Sequence, residues 1–130
     1  MKEMFPDTIT IYNIDSENNY HRKVVDKVYY HVDKIITPEA HGEKYTSVHR
    51  VIFSNESLKS YINKAEYYEL QDKINNFTLN DNDIIVLGEY KDIDNLEDIY
   101  NSNFDYFTIK TISINENSIC KIINNIEVTD

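Results

Sequence analysis

The chain alternates between two spacings of apolar residues, one of two and one near three and a half. From Asp7 the stretch DTITIYNI puts Ile9 and Ile11 on one side and Thr8, Thr10 and Tyr12 on the other. That is the signature of a half-buried β-strand. After the polar turn DSENNY (Asp15 to Tyr20), HRKVVDKVYYHVDKII reads as one long strand or a bent pair, rich in Val and Tyr. TPEAHGEKY (Thr37 to Tyr45) holds a proline and a glycine and is expected to be a mobile loop. TSVHRVIFS (Thr46 to Ser54) predicts another strand, and DIIVLGEY (Asp83 to Tyr90) a buried one. The runs FDYFTIKTISI and SICKIINNIEV flank NEN (Asn115 to Asn117), which predicts a hairpin.

Helical spacing appears in two places. Between Asn55 and Asn76, Asn55 is a candidate N-cap, with Leu58, Ile62 and Ala65 at helical intervals; one or two short helices or a long irregular excursion fit. Asp92 to Asn101 (DIDNLEDIYN) sets Ile93, Leu96, Ile99 and Tyr100 on one helical face, with acids early, where the helix dipole favours them. With two glycines and two prolines in 130 residues, most turns fall to Asn and Asp. Together these elements predict a mainly β fold: a small antiparallel barrel or sandwich of about six strands with one or two short helices. A single domain over residues 1–130 is expected, with an N-terminal extension at 1–6 and candidate long loops or helical excursions at 37–45 and 55–76.

Charge narrows the partners. The formal net charge is -10, and Arg22 and Arg50 are the two arginines. Neutralising a phosphate backbone needs clustered Lys and Arg, and base readout leans on Arg, so specific nucleic-acid binding is not expected. Cys120 is the single cysteine, so neither an intramolecular disulfide framework nor a thiolate metal cage is expected. MKEMFPDTIT lacks the apolar core of a secretory signal, and no run approaches the length of a membrane-spanning helix.

Candidate chemistry is sparse. Asp81 and Asp83 could open a calcium loop, but Ile85 and Val86 stand at its fifth and sixth positions and Asp92 at its twelfth, where a ligand, a glycine and a glutamate are needed. A turn leading into a strand accounts for the acids. His21, His31, His41 and His49 lack the i, i+4 spacing of a helical zinc site, although His31 and His49 could meet across neighbouring strands. Asp94, Glu97 and Asp98 fit a solvated helix face. No glycine-rich phosphate loop, nucleophile elbow or spaced Cys/His pair occurs, so no catalytic residue, metal or cofactor is expected.

The eleven tyrosines are more informative. Tyr29–Tyr30 and Tyr67–Tyr68 are adjacent pairs, and on a strand one of each must face outward. Tyr brings apolar area and a hydroxyl to an interface at low entropic cost, though it also suits β surfaces in general. Tyr29, Tyr30, Tyr67 and Tyr68, with Pro38 and His41 of the expected loop, are the candidate protein-interface residues.

DTITIYN followed by YHRKVVDKVYYHV resembles the opening of small head–tail connector proteins of tailed phages from Gram-positive hosts. FTLNDNDIIVLGEY and FTIKTISINENSICKIINNIEV resemble their C-terminal half, so the likeness runs from Asp7 to Val128. Asn82 stands where those proteins have a glycine before Asp83, and NEN where they have DN with basic residues. The resemblance implies a virion neck component of the head-closure (stopper) type: a small β-barrel assembling as a ring, usually of twelve, between portal or adaptor and tail. It implies a chain assembled in the host cytoplasm into the virion, with DNA passing through the ring's lumen and no membrane partner. An acidic subunit suits that role, because like charge lowers adhesion to the duplex. Another tail-completion or minor capsid protein, or a small ligand-binding domain, are the alternatives; an enzyme is not expected.

Overall fold

The computed structural model describes residues 4–116 and 123–130. Seven antiparallel strands curl into a half-barrel: β1 (Asp7–Ile14), β2 (Tyr20–Glu39), β3 (Gly42–Phe53), β4 (Ile84–Leu87), β5 (Tyr106–Thr108), β6 (Thr111–Glu116) and β7 (Ile123–Thr129). Their order across the sheet is β5-β4-β1-β2-β3-β7-β6. The mainly β, barrel-like architecture predicted from the residue pattern is therefore the one observed.

The two edge strands are consecutive in sequence. β5 pairs with β4, β6 pairs with β7, and two residues join them. Those two residues stitch opposite edges: the Ile109 N–H donates to the Asp83 carbonyl at 2.8 Å and the Lys110 N–H to the Thr129 carbonyl at 2.8 Å. The Ile109 side chain is fully buried in the main core. That core fills the concave face with Ile9, Ile11, Val28, Phe53, Phe77 and Ile126, among others.

β1 departs from the expected half-buried strand, because both of its faces are covered. Ile9 and Ile11 enter the main core, while Tyr12 joins Ile84, Val86, Ile93 and Ile99 in a second cluster outside the sheet. The segment after β4 folds back to form that cover, and the helix predicted over 92–101 is a single turn, Glu97–Tyr100. Ile93 and Ile99 are buried as their spacing predicts, whereas Tyr100 faces solvent.

The 55–76 excursion contains a 3-10 turn at Ser57–Ser60 and one helix, α1 (Lys64–Glu69). The capping residue of α1 is Asn63, whose side chain accepts the Glu66 N–H at 2.9 Å; the candidate cap Asn55 lies eight residues earlier in the chain. The other helix, α2, is Glu97–Tyr100.

Two more expectations are corrected. Residues 37–45 are not a mobile loop but the end of the β2–β3 hairpin, paired continuously from Val28↔Phe53 to Glu39↔Gly42 around a turn at Ala40 and His41. Pro38 is tolerated because β2 has no strand on its outer side there, and Gly42 takes the positive φ (131°) that follows the turn. The predicted C-terminal hairpin is present, but β6 continues to Glu116, with Asn115 paired to Asn125. Asn117 and Cys120 lie outside the described residues.

β2 bends once, as a long Val-rich strand must to follow a curled sheet. Between Asp7↔Val28 and Ile9↔Val25 the register slips, and Lys27 sits at φ 63°. This is a β-bulge.

The acidic stretch before β4 is a turn, and it carries a buried polar network. Asn82 adopts φ 72°, a left-handed conformation that glycine or asparagine accepts most readily. The buried Asn13 Nδ2 donates to the Thr78 carbonyl and to Asp83 Oδ2, each at 2.7 Å. Asp83 Oδ1 accepts the Ile14 N–H at 3.0 Å. Burial pushes the Asp83 carboxyl up to about 6, against the opposing pull of its hydrogen bonds from Ile14 and Asn13.

A raised carboxyl pKa means that the folded chain holds this proton more tightly than the unfolded one. The contribution is therefore fully present below about 3.8 and is lost as pH rises through about 6. The urea midpoint should fall across that window, reflecting a loss of unfolding free energy on the order of 3 kcal/mol, and Asp83→Asn should abolish the slope. Asp15 acts in a lower window. Burial opposes its ionisation, but the hydrogen bonds from His21 and from the Asn19 and Glu17 amides outweigh it and hold its pKa at about 2. Its contribution is lost only as pH falls from about 3.8 towards about 2.

Candidate interaction surface

The feature that leaves the body is the β2–β3 hairpin. β1 accompanies β2 only as far as Val28, and β7 accompanies β3 only from Arg50 to Phe53. At each departure a carboxylate caps the next free amide. Asp7 Oδ2 accepts the Tyr30 N–H at 2.9 Å, and Asp130 Oδ1 accepts the His49 N–H at 2.8 Å. Beyond these caps the ribbon from Val32 to Val48 has no strand beside it on either edge. With eight residues from Val32 to Glu39, this arm is about 26 Å long at about 3.3 Å per residue.

The root of the arm is clamped on both faces. On the convex face Tyr29 stacks on His31 at 5.7 Å, His31 Nε2 lies 2.7 Å from Asp33 Oδ1, and Arg50 bridges Asp33 and Glu127. On the concave face His49 stacks on Phe107 at 5.5 Å and its Nδ1 lies 2.7 Å from Asp130 Oδ2. His31 pairs with Arg50, and His49 with Val32, so the two imidazoles point to opposite faces and do not meet.

Past the clamp the side chains lose cover but not apolar character. Val32, Ile36, Pro38 and Tyr45 continue the face that carries Val28 and Tyr30 in the core; Ile35 and Val48 occupy the other. Ile36 is 55% exposed and Tyr45 67% exposed. Val32, Ile35, Ile36 and Val48 lie in the strands that the sequence predicts up to Ile36 and from Thr46, whereas Pro38 and Tyr45 lie in the expected loop, so the pattern did not show that the two strands run on as one exposed ribbon.

The candidate interface residues divide. Tyr29 faces outward and Tyr30 inward, as adjacent residues on a strand must, with burial raising the Tyr30 hydroxyl pKa. Pro38 and His41 are exposed at the end of the arm. Tyr67 is corrected: it is 0% exposed, with its ring edge-on to His21 and Tyr68, and has no surface to offer. Tyr68 is half-buried, and its hydroxyl donates to the Ile14 carbonyl at 2.9 Å, fastening α1 to the end of β1.

Elsewhere the surface has shallow clefts. One of them, about 640 Å³, is open to solvent and lined by Asp15, Lys64, Tyr68 and Lys73, among others. His21, His31 and His49 each lie within hydrogen-bond distance of a carboxylate, and among the described residues no three His, Cys, Asp or Glu side chains gather where they could hold a metal ion.

This arrangement defines a small β half-barrel that presents a two-stranded arm. The chain belongs to a family of unknown function (DUF6751), which it matches over residues 4–129. No curated protein and no solved structure matches it.

Arm and body should respond differently to truncation. Tyr45→Ser should change the unfolding free energy by less than about 0.5 kcal/mol, as surface changes do. Tyr67→Ala should cost about 3–5 kcal/mol, as for other buried aromatics. Chemical denaturation of the two variants checks both values.

Proposed function

We propose that this chain is a structural protein of a phage virion neck: a ring-forming head–tail connector of the head-closure type, joining portal or adaptor to tail. In this reading it works through surface contact and not through a reaction. The observation that carries the proposal is the arm. A two-stranded ribbon is marginal in water by itself, and this one holds apolar side chains on both faces beyond the last covered residue. Such a segment serves a protein that completes its packing on assembly.

Two further features support the reading. One is the likeness of the Asp7 to Val128 stretches to small connector proteins. The other is charge: twelve copies at -10 each would carry about -120, which discourages adhesion to DNA crossing the lumen. Exposed charges are screened beyond about 8 Å at physiological salt, so copies can still approach where the contact is apolar or locally paired.

Deleting Pro38 to Glu43 should shorten the arm, leave the thermal transition of the body intact and abolish normal tailed particles. Cryo-EM maps of particles from the parent phage should contain density for this chain between portal and tail. Normal particles from the deletion mutant, or particles without the chain, would overturn the proposal.

A further inference from the structure

We propose that two copies of this chain pair along the free edge of β3, antiparallel and two-fold, with Tyr45 of one copy opposite Tyr45 of the other. The pairing stands apart from the neck reading, since it concerns the chain by itself, before any larger assembly.

The hydrogen-bond ladder fixes which main-chain groups of β3 are free. His49 turns its peptide groups to the β7 side: its N–H donates to Asp130 Oδ1 at 2.8 Å and its carbonyl accepts the Asp130 N–H at 3.3 Å. Residues of an antiparallel strand alternate between their two neighbours. β2 and β3 keep one register from Val28↔Phe53 to Glu39↔Gly42 without a slip, so the alternation runs unbroken to the turn. Ser47, Tyr45 and Glu43 therefore aim N–H and carbonyl away from β2, where among the described residues no strand accompanies them. On β2 the same count, started from the Tyr30 N–H that Asp7 accepts, gives Val32, Lys34, Ile36 and Pro38. Pro38 has no N–H to donate, and proline is one of the devices that blunt a sheet edge. β3 is the edge with every donor in place.

A two-fold pairing of β3 with itself has few registers to choose from. An axis at Glu43 or at Lys44 sets like charges face to face, which destabilises a cross-strand pair. An axis nearer the body, at Thr46 or Ser47, brings Glu43 or Tyr45 of one copy against His49 of the other, whose peptide groups Asp130 already occupies. The axis at Tyr45 uses all three free residues, with Tyr45 opposite Tyr45 and Glu43 opposite Ser47 on either side. Each of these pairs exchanges both of its main-chain hydrogen bonds.

The side chains agree with that register. Within the hairpin Tyr45 lies opposite Ile36, and both are exposed on one face. The axis joins them into a single apolar row, Ile36–Tyr45–Tyr45–Ile36, across four strands. Each Tyr45 hydroxyl donates to Glu43 of its own chain at 2.9 Å, so the two rings lean in opposite directions, each towards the small Ser47 of the other copy. Lys34 lies opposite Ser47, which leaves Lys34 of one copy and Glu43 of the other on either side of that serine. On the opposite face Lys44 meets Thr46, while Asp33 and Glu39 stay on β2, away from the seam.

The pairing also separates the acidic bodies. The overlap from Gly42 to Val48 is about 23 Å long at about 3.3 Å per residue, and the bodies lie at its two ends. Charges that far apart are screened, since the Debye length is about 8 Å at physiological salt. A two-fold contact of this kind is complete with two copies.

The test is sedimentation equilibrium of the full chain up to about 1 mM, where even weak contacts are populated; a monomer–dimer equilibrium is expected. Ser47→Pro removes an outward N–H without touching a β2–β3 hydrogen bond and should weaken dimerisation by about ten-fold or more. Val32→Pro makes the matching change on the β2 edge and should leave it within about two-fold. In a Cys120→Ser background, Tyr45→Cys should oxidise to a disulfide-linked dimer, whereas Ile35→Cys, on the outer strand and the other face, should not. The thermal transition of the body should be unchanged in each variant, which checks folding. A monomer throughout, a dimer indifferent to Ser47→Pro, equal weakening by both prolines, or equal cross-linking at positions 35 and 45 would overturn the pairing.

Discussion

The architecture depends on one crossing. Within Tyr106 to Glu116 the chain leaves one edge of the sheet and joins the other, and Ile109 and Lys110 hydrogen-bond to both sides as it does so. An open sheet of this size would expose two unpaired edges. Here the edges are brought together by a covalent link two residues long, which forces the sheet to curl. The curl creates a concave face, and the main core fills it. Ile109 is buried at the crossing itself, so closure and core formation stabilise each other.

The second constraint is polar. The loop before β4 must hold its backbone against β1 without a strand to pair with, and Asn13 and Asp83 supply the hydrogen bonds instead. Burying a carboxyl is costly unless its lone pairs are satisfied. The hydrogen bonds donated by Asn13 and Ile14 and a raised pKa are the two ways this site meets that cost. The network also fixes the register at which β4 begins, and so which of its side chains enter the main core and which the cluster under α2.

The arm follows from the same sheet by subtraction. β2 and β3 are simply longer than their neighbours, and Asp7 and Asp130 cap the ladders where β1 and β7 stop. Rigidity at the root comes from two aromatic–carboxylate clamps on opposite faces. The result is a stable body that carries an exposed apolar projection, the feature on which the assembly proposal rests.

Much of this was legible in the residues. Period-two alternation at Asp7 to Ile14, the apolar run Ile84 to Leu87, and the buried spacing of Ile93 and Ile99 all mark elements that exist, because each depends on local backbone geometry and one covered face. The half-covered status expected for β1, the loop expected at 37–45 and the surface role expected for Tyr67 fail for a common reason. Each depends on what lies opposite in space: a second cluster over β1, a partner strand for Thr37 to Glu39, a core under α1. The sequence by itself determined a β-rich chain with short helices and its acidic character, since alternation and charge are properties of neighbouring residues. Only the tertiary structure decided that the two edges meet, that Asp83 turns inward, and that β2 and β3 outrun the sheet, because these follow from pairings between segments as far apart as Arg50 and Thr129, which local periodicity does not encode.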